Sequence, residues 1–171
     1  MNDRADSRTE GEIGPAEAAE LIELLAFLAA HEARIAARLY PHFFERRPDA
    51  HPLFGVHAIA EREEMIRETF RSLLALAEGE PWLAANLEAL GRSHFEYGVT
   101  GDMYGDFVDV FVEVAADGLD SARRGVLRRG LTRISDALRR AGDRAAPERH
   151  LSTAAKATAP ELPSPSATPR T

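Results

Sequence analysis

The chain contains six histidines and no cysteine, which excludes thiolate metal sites, thiol nucleophiles and disulfides and leaves imidazole and carboxylate as the strong metal ligands. His31 sits among charged neighbours in a helical pattern and is expected to face solvent. His42, His51 and His57 lie in or beside a turn-rich stretch, where exposed histidines are common, and His150 lies towards the C-terminus. His94 is set apart, because Leu87, Leu90 and His94 share one helical face at steps of three and four. A histidine on such a face is most often a hydrogen-bonded core residue. If it is instead a metal ligand, no His-x-x-His or Glu-x-x-His supplies a second strong ligand nearby. One histidine beside an apolar wall then suits a large, mostly apolar cofactor that brings its other ligands with it, as haem does with its pyrrole nitrogens.

Other chemistries find little support. There is no Gly-x-Ser-x-Gly, no phosphate-binding loop and no dinucleotide-binding glycine pattern. Gly98-Val99-Thr100-Gly101 follows a helical pattern and reads as a turn between helices. The acidic run Glu61, Glu63, Glu64 and Glu68 reads as a solvated helix face. Arg123, Arg124, Arg128, Arg129, Arg133, Arg139, Arg140 and Arg144 flank the last apolar stripe and read in the same way, with a surface for an anionic partner as the sharper alternative.

The elements that would position His94 are all helical. Leu21, Leu24, Leu25, Leu28, Ile35 and Leu39 form one stripe that begins just after Pro15, within a helical stretch from Ala16 to Tyr40. Pro48, Pro52 and Gly55 break any long helix between Phe44 and Ala58. Ile66, Phe70, Leu73 and Ala77 mark a second helix that ends at Gly79. Leu83, Leu87 and Leu90 lead to His94. Tyr104, Val108, Phe111 and Ala115 form a stripe that stops near Gly118, and Leu127, Leu131, Ile134 and Leu138 form the last. No alternating run bounded by hairpin turns suggests a strand, so the reading is all-α, with five or six substantial helices.

Residues 1–14 are polar and aperiodic and read as a flexible arm; 15–144 read as one domain. Residues 145–171 contain Pro147, Pro160, Pro163, Pro165 and Pro169 among Ser, Thr and Ala, and read as a disordered tail without apolar anchors. At 171 residues, 44% hydrophobic and 29% charged, the composition is that of a globular protein with a real core. No apolar N-terminal run suggests a secretory signal, and Glu20, Glu23, Glu32 and Arg34 interrupt the longest helical stretch, so no membrane span and a cytoplasmic location are expected. A formal charge of −7 argues against nonspecific nucleic-acid binding.

Two segments resemble a known family. Leu90-Gly-Arg-Ser-His94-Phe-Glu-Tyr-Gly-Val99, followed by Tyr104, resembles the segment around the haem-binding histidine of globins, above all bacterial single-domain haemoglobins, flavohaemoglobins and neuroglobin. Upstream, Leu39-Tyr40-Pro-His-Phe-Phe44-Glu-Arg-Arg-Pro48, ending at Leu53-Phe54, resembles the stretch that leads those globins to the haem edge. The resemblance covers about residues 17–140. It implies the globin fold, a three-over-three helical sandwich around non-covalent haem b (iron protoporphyrin IX), with His94 as axial iron ligand. It also implies Phe54 stacked on the haem, Tyr40 as distal donor to bound oxygen and Tyr104 on the proximal side. Arg62 and Ile66 fall on the distal helix, and Leu90 and Val99 complete the pocket wall.

Two departures from the family pattern stand out. Arg62 falls where many relatives have Gln or His. No Glu occurs between Glu113 and Glu148, where flavohaemoglobins keep a glutamate paired with the proximal histidine; without a carboxylate the imidazole is less electron-donating. The implied function is reversible binding of oxygen, nitric oxide and carbon monoxide, as carrier, scavenger or nitric oxide dioxygenase. The chain shows no reductase domain of the flavohaemoglobin kind, so such an activity would draw electrons from a separate reductase. The alternative is a gas or redox sensor that signals through the basic last helix and Pro-rich tail.

Overall fold

The first helix, α1 (Pro15–Ala29), starts on a proline, whose missing N–H is no loss in a first turn, and buries Leu21, Leu24, Leu25 and Leu28. The apolar stripe runs on in register, but the helix does not. His31 adopts φ −117° and ψ 13°, and α2 (Glu32–Arg46) begins after it. The His31 N–H bonds to the Leu28 carbonyl at 2.9 Å, while its own ring Nδ1 donates to the Phe27 carbonyl at 2.8 Å. The side chain thus takes the acceptor that its backbone would have used in a continuous helix. His31 is half-buried and stacks on Phe27, rather than facing solvent as its charged neighbours suggested.

A short 3-10 helix, Pro48–Leu53, follows, and Arg47 just before it pairs with Asp49 and Asp106. Then come α3 (Ala58–Glu78), α4 (Leu83–Tyr97), α5 (Gly101–Ala115) and α6 (Ser121–Ala157). Gly98 ends α4 with φ +94°, a conformation that L side chains disfavour, and the Val99 N–H closes the cap on the His94 carbonyl at 3.0 Å. The structure describes residues 13–54 and 58–157, except the side chains of 58 and 147–157. His57, the His150 side chain and most of the expected N-terminal arm lie outside this set. Helix α6 runs past the boundary expected at 144, to Ala157. Among the described residues there is no strand, and no helix is long and apolar enough to cross a membrane.

Helices α1, α3 and α4 form one layer over α2, α5 and α6. The central α5 buries Met103, Val108, Val110, Phe111, Val112, Val114 and Ala115, and Phe111, Leu127, Leu73 and Ile66 meet in the fully buried core. The most extensive packing joins α4 to α6. There, a Cβ at Gly91 would lie 2.6 Å from the Cβ of Ala141, and one at Gly142 would lie 3.3 Å from the Gly91 carbonyl oxygen. The two backbones approach this closely because neither glycine carries a side chain. Gly91 precedes His94 by less than one turn, so this contact sets where His94 stands.

Candidate functional site

His94 is half-buried on the last turn of α4. Its Nδ1 lies 2.8 Å from the Leu90 carbonyl. A carbonyl only accepts, so Nδ1 carries the proton and Nε2 keeps a free lone pair. Burial lowers the His94 pKa below the ordinary imidazole range, opposed by the Leu90 hydrogen bond, so the ring is held neutral. That is the form a metal requires. The Tyr104 ring lies 6.2 Å away, tilted by 37°. Burial, with the Asp143 carboxylate, pushes the Tyr104 phenol up to about 12 and keeps it protonated.

Asp143 is a residue that sequence reasoning missed. Looking for a glutamate on the last helix passes over the shorter acid, whose position near Tyr104 comes from the packing of α5 on α6. It also accepts from Arg139 at 3.2 Å. Among the described residues, no carboxylate hydrogen-bonds His94 itself.

A second group forms where α2, the 3-10 helix and α3 meet. Tyr40, only 1% exposed, donates through its hydroxyl to the Arg62 backbone carbonyl at 3.1 Å. Burial raises its pKa, against the pull of the Arg62 cation, so it remains a phenol. The Phe54 ring meets Tyr40 edge-on at 5.5 Å and Phe44 at 5.3 Å. Into this aromatic corner reaches Arg62, with its guanidinium carbon 4.8 Å from the Phe44 centroid, 5.5 Å from Phe54 and 5.7 Å from Tyr40. Its Nε is buried without a hydrogen-bond partner. Phe44 is a second missed residue; its place one turn after Tyr40 was the available signal.

The expected residues therefore gather into two groups, with Leu90, His94, Val99 and Tyr104 on one side and Tyr40, Phe54 and Arg62 on the other. Ile66, fully buried, continues the Arg62 face of α3. Among the described residues, no hydrogen bond, ion pair or ring contact joins the two groups. Helices α3 and α4 touch sparingly; away from the site, Asn86 on α4 donates to Glu68 on α3 at 2.6 Å. Glu68 is thus half-buried and engaged, unlike the solvated Glu63 and Glu64, which pair with Arg67. Nearer the site, two large apolar side chains stand uncovered. Ile59, 74% exposed, shares a face of α3 with Arg62 and Ile66, and Tyr97, 71% exposed, shares a face of α4 with Leu90 and His94.

The remaining candidates lead elsewhere. His42 and His51 are exposed, the latter against Phe44. The described residues hold no cluster of three or more His, Asp or Glu suited to a metal. A groove of about 750 Å³ between α5 and α6 is lined by Tyr104, Asp106, Asp109, Arg128, Arg139 and Asp143, but its charges pair with one another, Arg128 with Asp109 and Arg139 with Asp143. Much of the basic face of α6 is neutralised likewise, by Glu17 on α1 and Glu88 on α4.

The sequence matches no family model and no curated relative. Among solved structures, the chain is similar to haemoglobin of the shortfin mako, Isurus oxyrinchus, with a TM-score of 0.62 and 19% identity over 75% of this chain and 96% of that one. It is similar also to the deoxy form of haemoglobin from Mustelus griseus, with a TM-score of 0.60 and 16% identity over 74% of this chain and 96% of that one. The fold is the all-α globin fold.

Proposed function

We propose that this chain is a haem-binding globin that takes up oxygen reversibly, with nitric oxide and carbon monoxide as further ligands. The observation that carries the proposal is the bond from His94 Nδ1 to the Leu90 carbonyl, which fixes the tautomer and leaves Nε2 as a neutral donor to a metal. The surroundings fit a large apolar group, because Ile59 and Tyr97 are uncovered on the faces that carry Ile66 and His94. Haem b, held without a covalent link, would supply an iron centre able to bind diatomic gases. His94 would hold the iron, Phe54 would lie against the ring, Ile66, Leu90 and Val99 would keep the pocket dry, and Tyr104 would flank the histidine. Residues 15–144 form the proposed working unit, and a cytoplasmic location suits it.

Tyr40 has one hydroxyl proton, and it is committed to the Arg62 carbonyl. To serve a bound gas it must give up that bond. The proximal imidazole leans on a neutral carbonyl rather than a carboxylate, which makes it less electron-donating and favours carriage or scavenging over dioxygenation of nitric oxide with an external reductase. The test is a set of absorption spectra of the oxidised, reduced and carbonyl forms of the purified chain. The wild type should be red and give all three. His94→Ala should lose haem or hold it only with added imidazole, while His31→Ala should keep a normal spectrum. Normal haem retention by His94→Ala would remove the assignment.

A further inference from the structure

Helices α3 and α4 carry Ile66 and His94, the two sides of the candidate site, and each leans on a different neighbour. Helix α3 packs chiefly on α1 and α4 chiefly on α6, while α3 and α4 hardly touch. Their shared corner is short. Gly79 turns the chain with φ +69°, the Glu80 N–H returns to the Ala75 carbonyl at 2.9 Å, and α4 starts at Leu83. Two walls hinged at one end and backed separately can part unless something joins them beyond the hinge.

A polar cluster does so. Asn86 Nδ2 donates to Glu68 Oε1 at 2.6 Å, a charge-assisted bond from α4 to α3. The same oxygen accepts from Ser72 Oγ at 3.3 Å, and Ser72 is 1% exposed. Arg71 pairs with Glu68 Oε2 at 3.6 Å and sets its guanidinium carbon 4.8 Å from the centroid of Trp82, the residue that precedes α4. The Glu68 side chain is 22% exposed, against 54% for Glu63 and 68% for Glu64, so water competes less for its bonds. Asn86 leads to Leu90 and His94 by successive steps of four along α4, and Glu68 stands two residues after Ile66 on α3. The cluster therefore fixes the helix that bears His94 against the helix that bears Ile66.

We propose that Glu68 and Asn86 form a latch across the α3–α4 cleft, which sets how far its walls part and how fast haem leaves. The haem half rests on the function proposed above; the width of the cleft does not. Both are positioning residues, acting through the helices that carry Ile66 and His94.

Exchanging the two side-chain types tests the pair. Asn86→Asp sets a second acceptor against Glu68, and Glu68→Gln in the same chain restores one donor facing one acceptor. The chain has no cysteine, so Ile59→Cys with Tyr97→Cys takes one spin label on each wall. The distance between the labels is read by pulsed electron paramagnetic resonance before haem is added. Asn86→Asp should lengthen or broaden that distance, and in the unlabelled chain it should speed transfer of haem to an excess of an acceptor protein by about tenfold. The double exchange should return the distance to that of the wild type and the transfer rate to within about threefold of it. Should circular dichroism show Asn86→Asp misfolded, Asn86→Leu, which deletes the donor without adding charge, takes its place in both measurements. An unchanged label distance overturns the latch and leaves the haem reading standing. An opened cleft that the double exchange does not close also overturns it, since the effect is then of added charge and not of the pair. So does a longer distance with no faster haem transfer. A wild-type chain that takes up no haem overturns the haem reading, and the label distances alone then decide the latch.

Discussion

Around His94 the chain satisfies itself: the ring donates to a backbone carbonyl, the helix end is closed by Gly98 and Val99, and the helix rests on α6 through two glycines. Around Tyr40 and Arg62 it does not. There the polar atoms belong to long side chains, one donor is left without an acceptor, and rings substitute for counter-ions. The first region is positioned by backbone bonds and by close helix packing. The second leaves one guanidinium donor, Arg62 Nε, without a partner among the described residues. Preorganisation on one face and unmet bonding capacity on the other are what a site needs to hold a cofactor in place and still respond to what arrives on it.

The contrast breaks most visibly at Gly91. Gly91→Val puts a branched side chain where even a Cβ meets Ala141 at 2.6 Å, so α4 must lift from α6. A loss of about 1–3 kcal/mol is expected, as in other overpacked cores. It should be read as a lower melting temperature together with faster transfer of haem to an excess of an acceptor protein. An unchanged melting temperature would show that α4 is not held by that contact.

Tyr40→Phe sharpens the other side. It removes the donor to the Arg62 carbonyl at a cost of roughly 0.5–1.5 kcal/mol in stability. If Tyr40 turns to the bound gas, oxygen should dissociate about tenfold faster, since about 1.4 kcal/mol is a factor of ten. Carbon monoxide, which is nearly apolar, should shift much less. Loss of stability without any change in oxygen dissociation would confine Tyr40 to holding Arg62.

The smallest effect is on pH dependence. Because burial depresses the His94 pKa from the ordinary value of 6.5, its contribution to haem-free stability is complete above that value. It declines as pH falls, because the unfolded chain takes up the proton first. Thermal melts of the haem-free chain between pH 7 and 5 should therefore slope downwards, and His94→Gln should flatten part of the slope. Arg62→Gln should leave the slope alone, since it removes no imidazole. An identical slope in wild type and His94→Gln would place the titration elsewhere.

Most of the helical architecture was legible from apolar spacing, because burial on one face of a helix enforces it. The separation of α1 from α2 was not, because Leu28 and Ile35 keep the stripe in phase across the break and the cause is a side-chain bond from His31 to Phe27. Of the candidate site, His94, Tyr40 and Phe54 were singled out by the local segments that carry them, with Phe54 directly after the 3-10 helix that begins at Pro48. Asp143 and the cage around Arg62 could not, because they arise where helices distant in sequence meet, and no local pattern records which acid or which ring will be opposite. The length of α6 also escaped: Pro147 suggested an end, yet the helix runs on to Ala157.

The ion pair of Glu17 with Arg129 joins residues 112 apart in the chain, at 2.7 Å. On a ribosome, α1 emerges before α6, so this clasp can close only once α6 has been made. Before that, α1 has an earlier partner in α3, with which it packs within its own layer. The order of events follows from loop closure: the nearer, apolar contact is made at lower entropic cost, and the distant charged one comes after it. Helix α1 is thus docked by burial early and tied by charge late, once α6 is there to meet it.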